Sequence, residues 1–273
     1  MLLLGESMRA KRRLFTHLFV ALAFFSMMMA LSQATIAQAG TGTQSIQSSD
    51  ENWGGYVVVS NYLSPQPVFN AVMGSWIVPS IPSNVFYGTT NRVSEWVGIG
   101  GSTLAADGNL IQVGTEEISY PIGGNSYFAW YEMVPGNASA VQVFSVSPGD
   151  VINAFIQEVG TGNSYTISII DSTNNNYFQH TFTYSPDKTS AEWIVEKNLS
   201  EPLSDFNVID FGPAYTSGNY NNVQDQANGS DLNIGQLPNY EVTIKNSGGT
   251  TLAYPNALGS DQSSFTMTWQ NPS

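Results

Sequence analysis

The sequence contains no cysteine, little histidine and few positive charges. Among 273 residues there are two histidines and eight lysines and arginines, against 21 aspartates and glutamates. The absence of cysteine excludes disulfides, cysteine nucleophiles and zinc sites with thiolate ligands. After residue 39 only His180 remains, so zinc motifs with two histidines are excluded there, and a Ser-His-Asp triad would have to use that one side chain.

Half of the basic residues lie near the N-terminus. They precede an apolar run, residues 18–31, which is followed by small residues at Ala34 and Ala39. This order is typical of a cleaved secretory signal peptide, so we expect residues 1–39 to be removed and the protein to be extracellular. A membrane anchor is the alternative, but no basic cluster follows the apolar run. The basic residues in question are Arg9, Lys11, Arg12 and Arg13.

The chain after residue 39 is strongly acidic. It has four basic and 20 acidic residues, which gives a net charge of −16 at pH 7. So few cations cannot neutralise phosphates, which excludes nucleic acids and anionic membranes as partners. Repulsion between the carboxylates is relieved when they take up protons, and this suits a protein that works in acid.

Short strand-like runs, separated by proline and glycine, follow one another from Asn52 onward, and no long run has the period of a helix. We therefore expect an all-β fold, a two-sheet antiparallel β-sandwich. Residues 52–273 are predicted to form one domain after a short polar leader, residues 40–51, with long loops near 80–91 and 216–233. The predicted strands are Tyr56–Ser60, Val68–Val78, Val93–Gly98, Tyr127–Val134, Val151–Val159, Ser164–Asp171, Tyr177–Tyr184, Ala191–Glu196, Phe206–Phe211, Tyr240–Lys245 and Ser264–Trp269.

Some of these runs carry polar side chains beside residues that are expected to be buried. In the run 191–196, Glu192 and Glu196 share one face of the strand and apolar residues share the other. Glu132 and Gln112 lie in similar surroundings. The pattern fits the concave face of a bent sheet that holds a substrate groove. A glutamate on a strand is most often solvated, however, so spacing alone assigns no catalytic role.

Six motifs occur in a fixed order along the chain. They are Asn52-Trp53-Gly54-Gly55, Glu95-Trp96-Val97-Gly98-Ile99-Gly100-Gly101, Leu110-Ile111-Gln112-Val113-Gly114, Ala129-Trp130-Tyr131-Glu132, Ser147-Pro148-Gly149-Asp150 and Ala191-Glu192-Trp193-Ile194-Val195-Glu196. Between about Asn52 and Tyr215, this series resembles the glutamic peptidases, also called eqolisins.

The resemblance implies a lectin-like, concanavalin A-like β-sandwich. It also implies a monomeric endopeptidase that cleaves proteins or peptides at acid pH without a metal or a cofactor. The family's catalytic glutamine corresponds to Gln112 and its catalytic glutamate to Glu196. The side chains implied to bind substrate are Trp53, Trp96, Glu116, Trp130 and Glu132.

The implied reaction is chemically reasonable. Glu196 would take a proton from a water that attacks the scissile carbonyl, and the Gln112 amide would donate to the developing oxyanion. Glu196 would then pass its proton to the leaving amine. A glutamate with a pKa of about 4.3 still acts as a base in acid, where histidine is protonated.

Two positions depart from fungal members of the family. Gly100 stands where those proteins have an aspartate, and Glu116 is one methylene longer than their acid near the glutamine. Both departures change the acidic surroundings expected to set the proton affinity of Glu196.

Two other functions remain open at this point. A lectin-like groove could bind glycans, or hydrolyse them with the carboxyl groups of Glu132 and Glu196. A secreted interaction protein without catalysis is the other alternative. Gln112 separates these readings, because only the peptidase needs it as an oxyanion donor.

Overall fold

The computed structural model describes most of the chain after residue 42. The predicted signal peptide, residues 1–39, lies outside the described part. Within that part, no helix combines the length and the apolar character needed to cross a membrane. The described residues are 43, 45–83, 88–102, 108–137, 139–160, 162–198, 200–225 and 229–272.

Strands make up nearly all of the regular structure. The described helical elements are a one-turn helix α1, Pro213–Thr216, and a 3₁₀ turn, Ile234–Gln236. The strands are β1 Ile46–Asp50, β2 Trp53–Val59, β3 Phe69–Ile77, β4 Asn91–Ile99, β5 Leu110–Tyr120, β6 Gly124–Val134, β7 Val141–Ser145, β8 Val151–Glu158, β9 Ser164–Asp171, β10 Asn176–Thr183, β11 Ser190–Glu196, β12 Val208–Phe211, β13 Asn222–Asp225, β14 Asp231–Asn233, β15 Asn239–Lys245, β16 Thr251–Pro255 and β17 Phe265–Trp269.

Hydrogen bonding joins the strands into one continuous sheet that folds over into two layers. The front layer has the order β1-β15-β2-β11-β4-β5-β6-β7. The back layer has the order β10-β9-β8-β3, and the other edge of β3 pairs with β12 and β13 and leads on to β17 and β16. All of these strand pairings are antiparallel except β1 with β15, which confirms the predicted antiparallel β-sandwich.

Strand β15 belongs to both layers. Its first half pairs with β2 in the front layer, and its last residues pair with β16 in the back layer. Pairing with β2 ends at Val242 and pairing with β16 begins at Ile244, followed by a register shift between Ile244 and Lys245. Such an irregularity bends a strand and increases its local twist, which lets one sheet fold over on itself.

The main core lies between the layers and is tied across them by two indoles. Trp193 of the front layer donates its Nε1 proton to the Met73 carbonyl oxygen of the back layer at 2.9 Å. In the opposite direction, Trp76 of the back layer donates to Thr115 Oγ1 at 2.8 Å. Both indoles are fully buried, so each bond satisfies a polar group that has no access to water.

The front layer is buried on both of its faces. Apart from the main core, a second apolar cluster covers the face that points away from the back layer, which we call the site face. A strand buried on both faces cannot alternate simply between apolar and polar residues. Polar side chains on the site face therefore lie among aromatic rings. The buried members of the cluster are Val57, Trp96, Leu110, Trp130, Ile194 and Val242.

Two segments differ from the sequence prediction. The polar stretch 40–51 was expected to be a leader, yet Ile46–Asp50 forms β1 and pairs with β15 along its whole length. The segment 216–233 was expected to be a loop, yet it contains β13 and β14. These strands are short and rich in Asn, Gln, Ser and Asp, so backbone pairing to a neighbour stabilises them without an apolar pattern.

Gly114 provides a direct test of how tightly β5 packs against β4. A Cβ atom at this position would lie 2.1 Å from the backbone oxygen of Glu95 and 2.6 Å from Cβ of Trp96. We expect Gly114→Ala to lower the free energy of unfolding by about 1–3 kcal/mol or more, because β4 would have to move. Urea denaturation followed by tryptophan fluorescence measures the change.

Gly248→Ala is the matched control. Gly248 is exposed in the turn after β15, and the nearest atom to its added methyl is the Asn246 side-chain oxygen at 3.3 Å. Its stability should change by less than about 0.5 kcal/mol. Equal stabilities of the two variants would contradict the close approach of β4 and β5.

Candidate active site

Four adjacent strands of the front layer bring the candidate polar residues to the site face in three rows. The strands are β11, β4, β5 and β6, and residues in a row are paired directly across them. All of the catalytic and substrate-binding residues predicted in these strands lie in the rows. The rows are Glu192–Gly98–Gln112–Glu132, Ile194–Trp96–Gly114–Trp130 and Glu196–Ser94–Glu116–Phe128.

Glu196 ends β11 and is held by an indole. Trp96 Nε1 donates to Glu196 Oε2 at 2.7 Å, and Trp53, paired with Glu196 on β2, packs edge-on against Trp96 with ring centroids 4.9 Å apart. Burial of the carboxyl group, with smaller contributions from the negative charges of Glu132 and Glu116, raises the pKa of Glu196 to about 7. Hydrogen bonds from Trp96 and Trp53 act in the opposite direction.

Gln112 lies in the middle of β5 and is 5% exposed. Its Nε2 donates to Glu132 Oε2 at 2.9 Å, across the directly paired position on β6. Burial raises the pKa of Glu132, and the amide proton of Gln112 partly offsets that rise. The Gln112 carbonyl oxygen is buried with no hydrogen-bond partner among the described residues. The amide is thus held through its Nε2 group, while its oxygen is buried without a partner among the described residues.

Glu116 is bound by a residue that the sequence analysis did not select. Arg92 on β4 donates from Nη1 to Glu116 Oε1 at 2.8 Å and also bonds to Glu201. Burial raises the pKa of Glu116, and the Arg92 guanidinium opposes the rise. Arg92 is the only arginine after residue 39, and this rarity could have selected it as a candidate site residue.

The structure accounts for glycine at position 100. Gly100 has a φ of +86°, and a Cβ atom there would lie 2.4 Å from the Asn109 carbonyl oxygen and 3.1 Å from the Asp187 carboxylate. An aspartate at this position would be strained and would collide with its surroundings. Instead, Asp187 places a carboxylate beside Gly100 from the loop before β11, where Oδ1 accepts hydrogen bonds from Thr189.

The predicted site residues therefore come together on one surface. Gln112 and Glu196 lie on strands that flank β4, and Trp96 on β4 contacts Glu196 directly. The arrangement offers a carboxyl group, an amide donor and aromatic walls, which is suited to proton transfer near a developing negative charge. Within the described part of the chain, no group of three or more side chains is arranged to bind a metal.

The chain is similar to a known protein family and to solved structures. The family model described as "Peptidase A4 family" matches residues 51–254. Aspergillopepsin-2 of Aspergillus niger is 29% identical over 165 residues, which span 53% of this chain and 55% of that protein. The chain thus matches about half the length of this curated relative.

Two solved structures share the fold. Scytalido-glutamic peptidase with a transition state analog inhibitor superposes with a TM-score of 0.60 at 19% identity, covering 81% of this chain and 99% of that one. SCP-B, a member of the eqolisin family of peptidases in complex with the tripeptide Ala-Ile-His, gives 0.58 at 19% identity with the same coverage. Because the family model matches well over half of the residues of this chain, the chain belongs to the Peptidase A4 family.

Proposed function

We propose that the protein is a secreted glutamic endopeptidase in which Glu196 and Gln112 carry out the reaction on protein or peptide substrates. The observation that carries the proposal is the 2.7 Å bond from Trp96 to the Glu196 carboxyl group, on the face that also presents the Gln112 amide. Membership of the Peptidase A4 family supports the reaction class. Residues 1–39 have the pattern of the signal that would direct secretion.

In this proposal Glu196 acts first as a base and then as an acid, and Gln112 stabilises the oxyanion. Glu196 as carboxylate removes a proton from water as the oxygen attacks the scissile carbonyl carbon. The Gln112 Nε2 group turns from Glu132 to donate to the carbonyl oxygen as negative charge develops there. Protonated Glu196 then gives its proton to the leaving amine. Trp53, Trp96 and Trp130 line the face and exclude water from the reacting groups.

Burial of Glu196 changes the expected pH range. With a pKa raised to about 7, the carboxylate form is scarce in strong acid and grows as the pH approaches 7. The same pKa shift makes the fold less stable as the pH rises, whereas it makes the base more available. Because the pKa is raised in the folded chain, the stabilisation is complete below about pH 4.3 and is lost as the pH rises through about 7. We therefore expect optimal activity in mild rather than strong acid.

The first prediction concerns the two reacting groups. Glu196→Gln removes the base and should lower kcat by a factor of ~10² to 10⁴. Gln112→Ala removes the oxyanion donor and should lower kcat ~10²-fold to 10³-fold. Cleavage of denatured casein between pH 2 and 7, with pepstatin and a chelator in parallel reactions, measures both effects.

Matched controls come from exposed positions. Glu51→Gln, in the turn before β2, and Gln179→Ala, on β10 of the back layer, make the same chemical changes away from the site rows and should leave kcat within a factor of about two. If Gln112→Ala kept wild-type activity, Gln112 would not be the oxyanion donor, and a carboxylate-based reaction would become the better explanation. Loss of all cleavage on adding the chelator would contradict a metal-free mechanism.

A second prediction uses the bond between Trp96 and Glu196. Trp96→Phe removes an N–H group that stabilises the carboxylate, so the pKa of Glu196 should rise further. Since Glu196 acts as a base, the rising limb of kcat against pH should move to higher pH. Trp130→Phe is the control, because the indole N–H of Trp130 has no partner among the described residues. An unmoved limb in Trp96→Phe would show that Glu196 is not the titrating base.

A further inference from the structure

A short link between β1 and β2 leads the chain into the site. β1 runs parallel to β15 along one edge of that strand, and β2 runs antiparallel along the other edge. The chain therefore crosses β15 within residues 51 and 52, which are the two residues between β1 and β2. A crossing this short needs a tight turn, and the side chain that fixes the turn determines how β2 begins.

Asp50 fixes this turn. Its Oδ1 atom accepts hydrogen bonds from the backbone N–H groups of Asn52 at 2.8 Å and of Trp53 at 3.0 Å. An aspartate that accepts from the residues two and three positions ahead closes a turn of the Asx type. Asp50 is itself placed by β1, because it pairs with Ile244 of β15 at the end of that strand. The direction in which Trp53 enters β2 thus depends on one carboxylate oxygen.

The two residues held by Asp50 lie directly against the backbone of the proposed base. Trp53 pairs with Glu196 across β2 and β11. The carbonyl oxygen of Asn52 accepts a hydrogen bond from the N–H group of Lys197 at 2.8 Å. The turn therefore borders both Glu196, the last residue of β11, and the residue that follows it.

The same turn reaches the Glu196 carboxyl group through two indoles. Trp53 packs edge-on against Trp96, with ring centroids 4.9 Å apart and an angle of 79° between the rings. Trp96 in turn donates to Glu196 Oε2 at 2.7 Å. Contacts between aromatic rings depend on their relative orientation. A change in the direction of Trp53 at the start of β2 therefore alters the support of Trp96 and, through it, the bond to Glu196.

We propose that Asp50 is a positioning residue for Glu196, which it holds in place through Trp53 and Trp96. The proposal rests on the proposed function of Glu196 as the base, and Asp50 itself takes no part in proton transfer. It also gives β1 a role, because this strand, in the stretch that was expected to be a leader, carries Asp50 into place.

The proton affinity of Glu196 separates this role from a purely structural one. The bond from Trp96 favours the carboxylate form and so acts to lower the pKa of Glu196. When Trp96 loses its support, that bond weakens, the pKa rises, and the rising limb of kcat against pH moves to higher pH. A turn that only stabilised the fold would leave the limb where it is. The charged groups that act on Glu196, which are Glu132 and Glu116, stay unaltered.

The test compares two replacements of Asp50 in the casein assay. Asp50→Ala removes the acceptor, so the rising limb should move to higher pH. Its kcat in mild acid should fall by a factor of about 10 to 10², since a misplacement of about 1 Å can cost 10²-fold. Asp50→Asn keeps an acceptor oxygen and should stay within a factor of about three of the wild type. Combined with Trp96→Phe, Asp50→Ala should move the limb no further than Trp96→Phe alone, because both act through one bond.

Two matched controls separate this effect from the loss of any turn or any charge. Asn61 Oδ1 accepts the same pair of backbone bonds, from Leu63 at 2.8 Å and Ser64 at 3.3 Å, in an exposed turn beyond the other end of β2. Asn61→Ala should leave kcat and the rising limb as in the wild type. Glu51→Gln removes an exposed charge from the turn that Asp50 closes and should also match the wild type.

A second measurement needs no substrate. Two indoles in contact at a large angle give a paired positive and negative band in the circular dichroism spectrum. Trp53→Leu identifies the band pair that belongs to Trp53 and Trp96 by removing it. Asp50→Ala should weaken this band pair and Asp50→Asn should retain it. A wild-type protein without cleavage would contradict the proposed function, whereas the spectra would still show whether Asp50 positions the indoles.

The proposal is overturned if Asp50→Ala retains both the band pair and the wild-type rising limb. It is also overturned if Asp50→Asn is impaired as much as Asp50→Ala. If Asp50→Ala does not fold, Trp53→Leu is decisive, because it removes the ring and leaves the acceptor of the turn in place. Its rising limb should move as in Trp96→Phe, and an unmoved limb overturns the proposal.

Discussion

Burial of carboxyl groups without cationic partners is the constraint on which both the fold and the site depend. Four glutamates, Glu95, Glu117, Glu192 and Glu196, have pKa values raised mainly by burial, and no described salt bridge involves any of them. An ionised carboxylate in such surroundings is costly, so the folded chain favours proton uptake. The buried acidic groups thus make the stability of the folded chain depend on pH.

The front layer connects these groups because its strands are buried on both faces. Strands β4 and β5 carry Trp96 and Gln112 on one face and Glu95 and Glu117 on the other. A movement of these strands that relieves charge in the core must also displace the site. Stability and proposed catalysis therefore both respond to pH through the same strands. For Glu196 the directions are opposite, because a rising pH lowers stability but increases the carboxylate form that acts as the base.

Much of the architecture could be predicted from the sequence, because alternation and turn residues identify strands that bury an apolar face. The rows that contain Gln112 and Glu132 could not, since register depends on pairing between distant strands. Strands such as β1 and β13 were missed because they are held by backbone pairing and their polar residues lack the apolar alternation that predicts a strand. The bonds of Arg92 and the burial of Glu95 and Glu117 were missed for a related reason, because a charged residue in a strand is expected to be solvated until its neighbours are known.

Strand β15 has a consequence for how the polypeptide reaches this fold during synthesis. β2 carries Trp53 at the site, and its partner β15 contributes contacts such as that of Glu241 with Tyr56, 185 residues away along the chain. A ribosome releases all the other strands of the front layer before it releases β15. Until then β2 has one unpaired edge and the apolar side chains beneath it are uncovered. Pairing between such distant strands makes folding slow and leaves apolar surface exposed, so contact with a chaperone is physically favoured while the chain is incomplete.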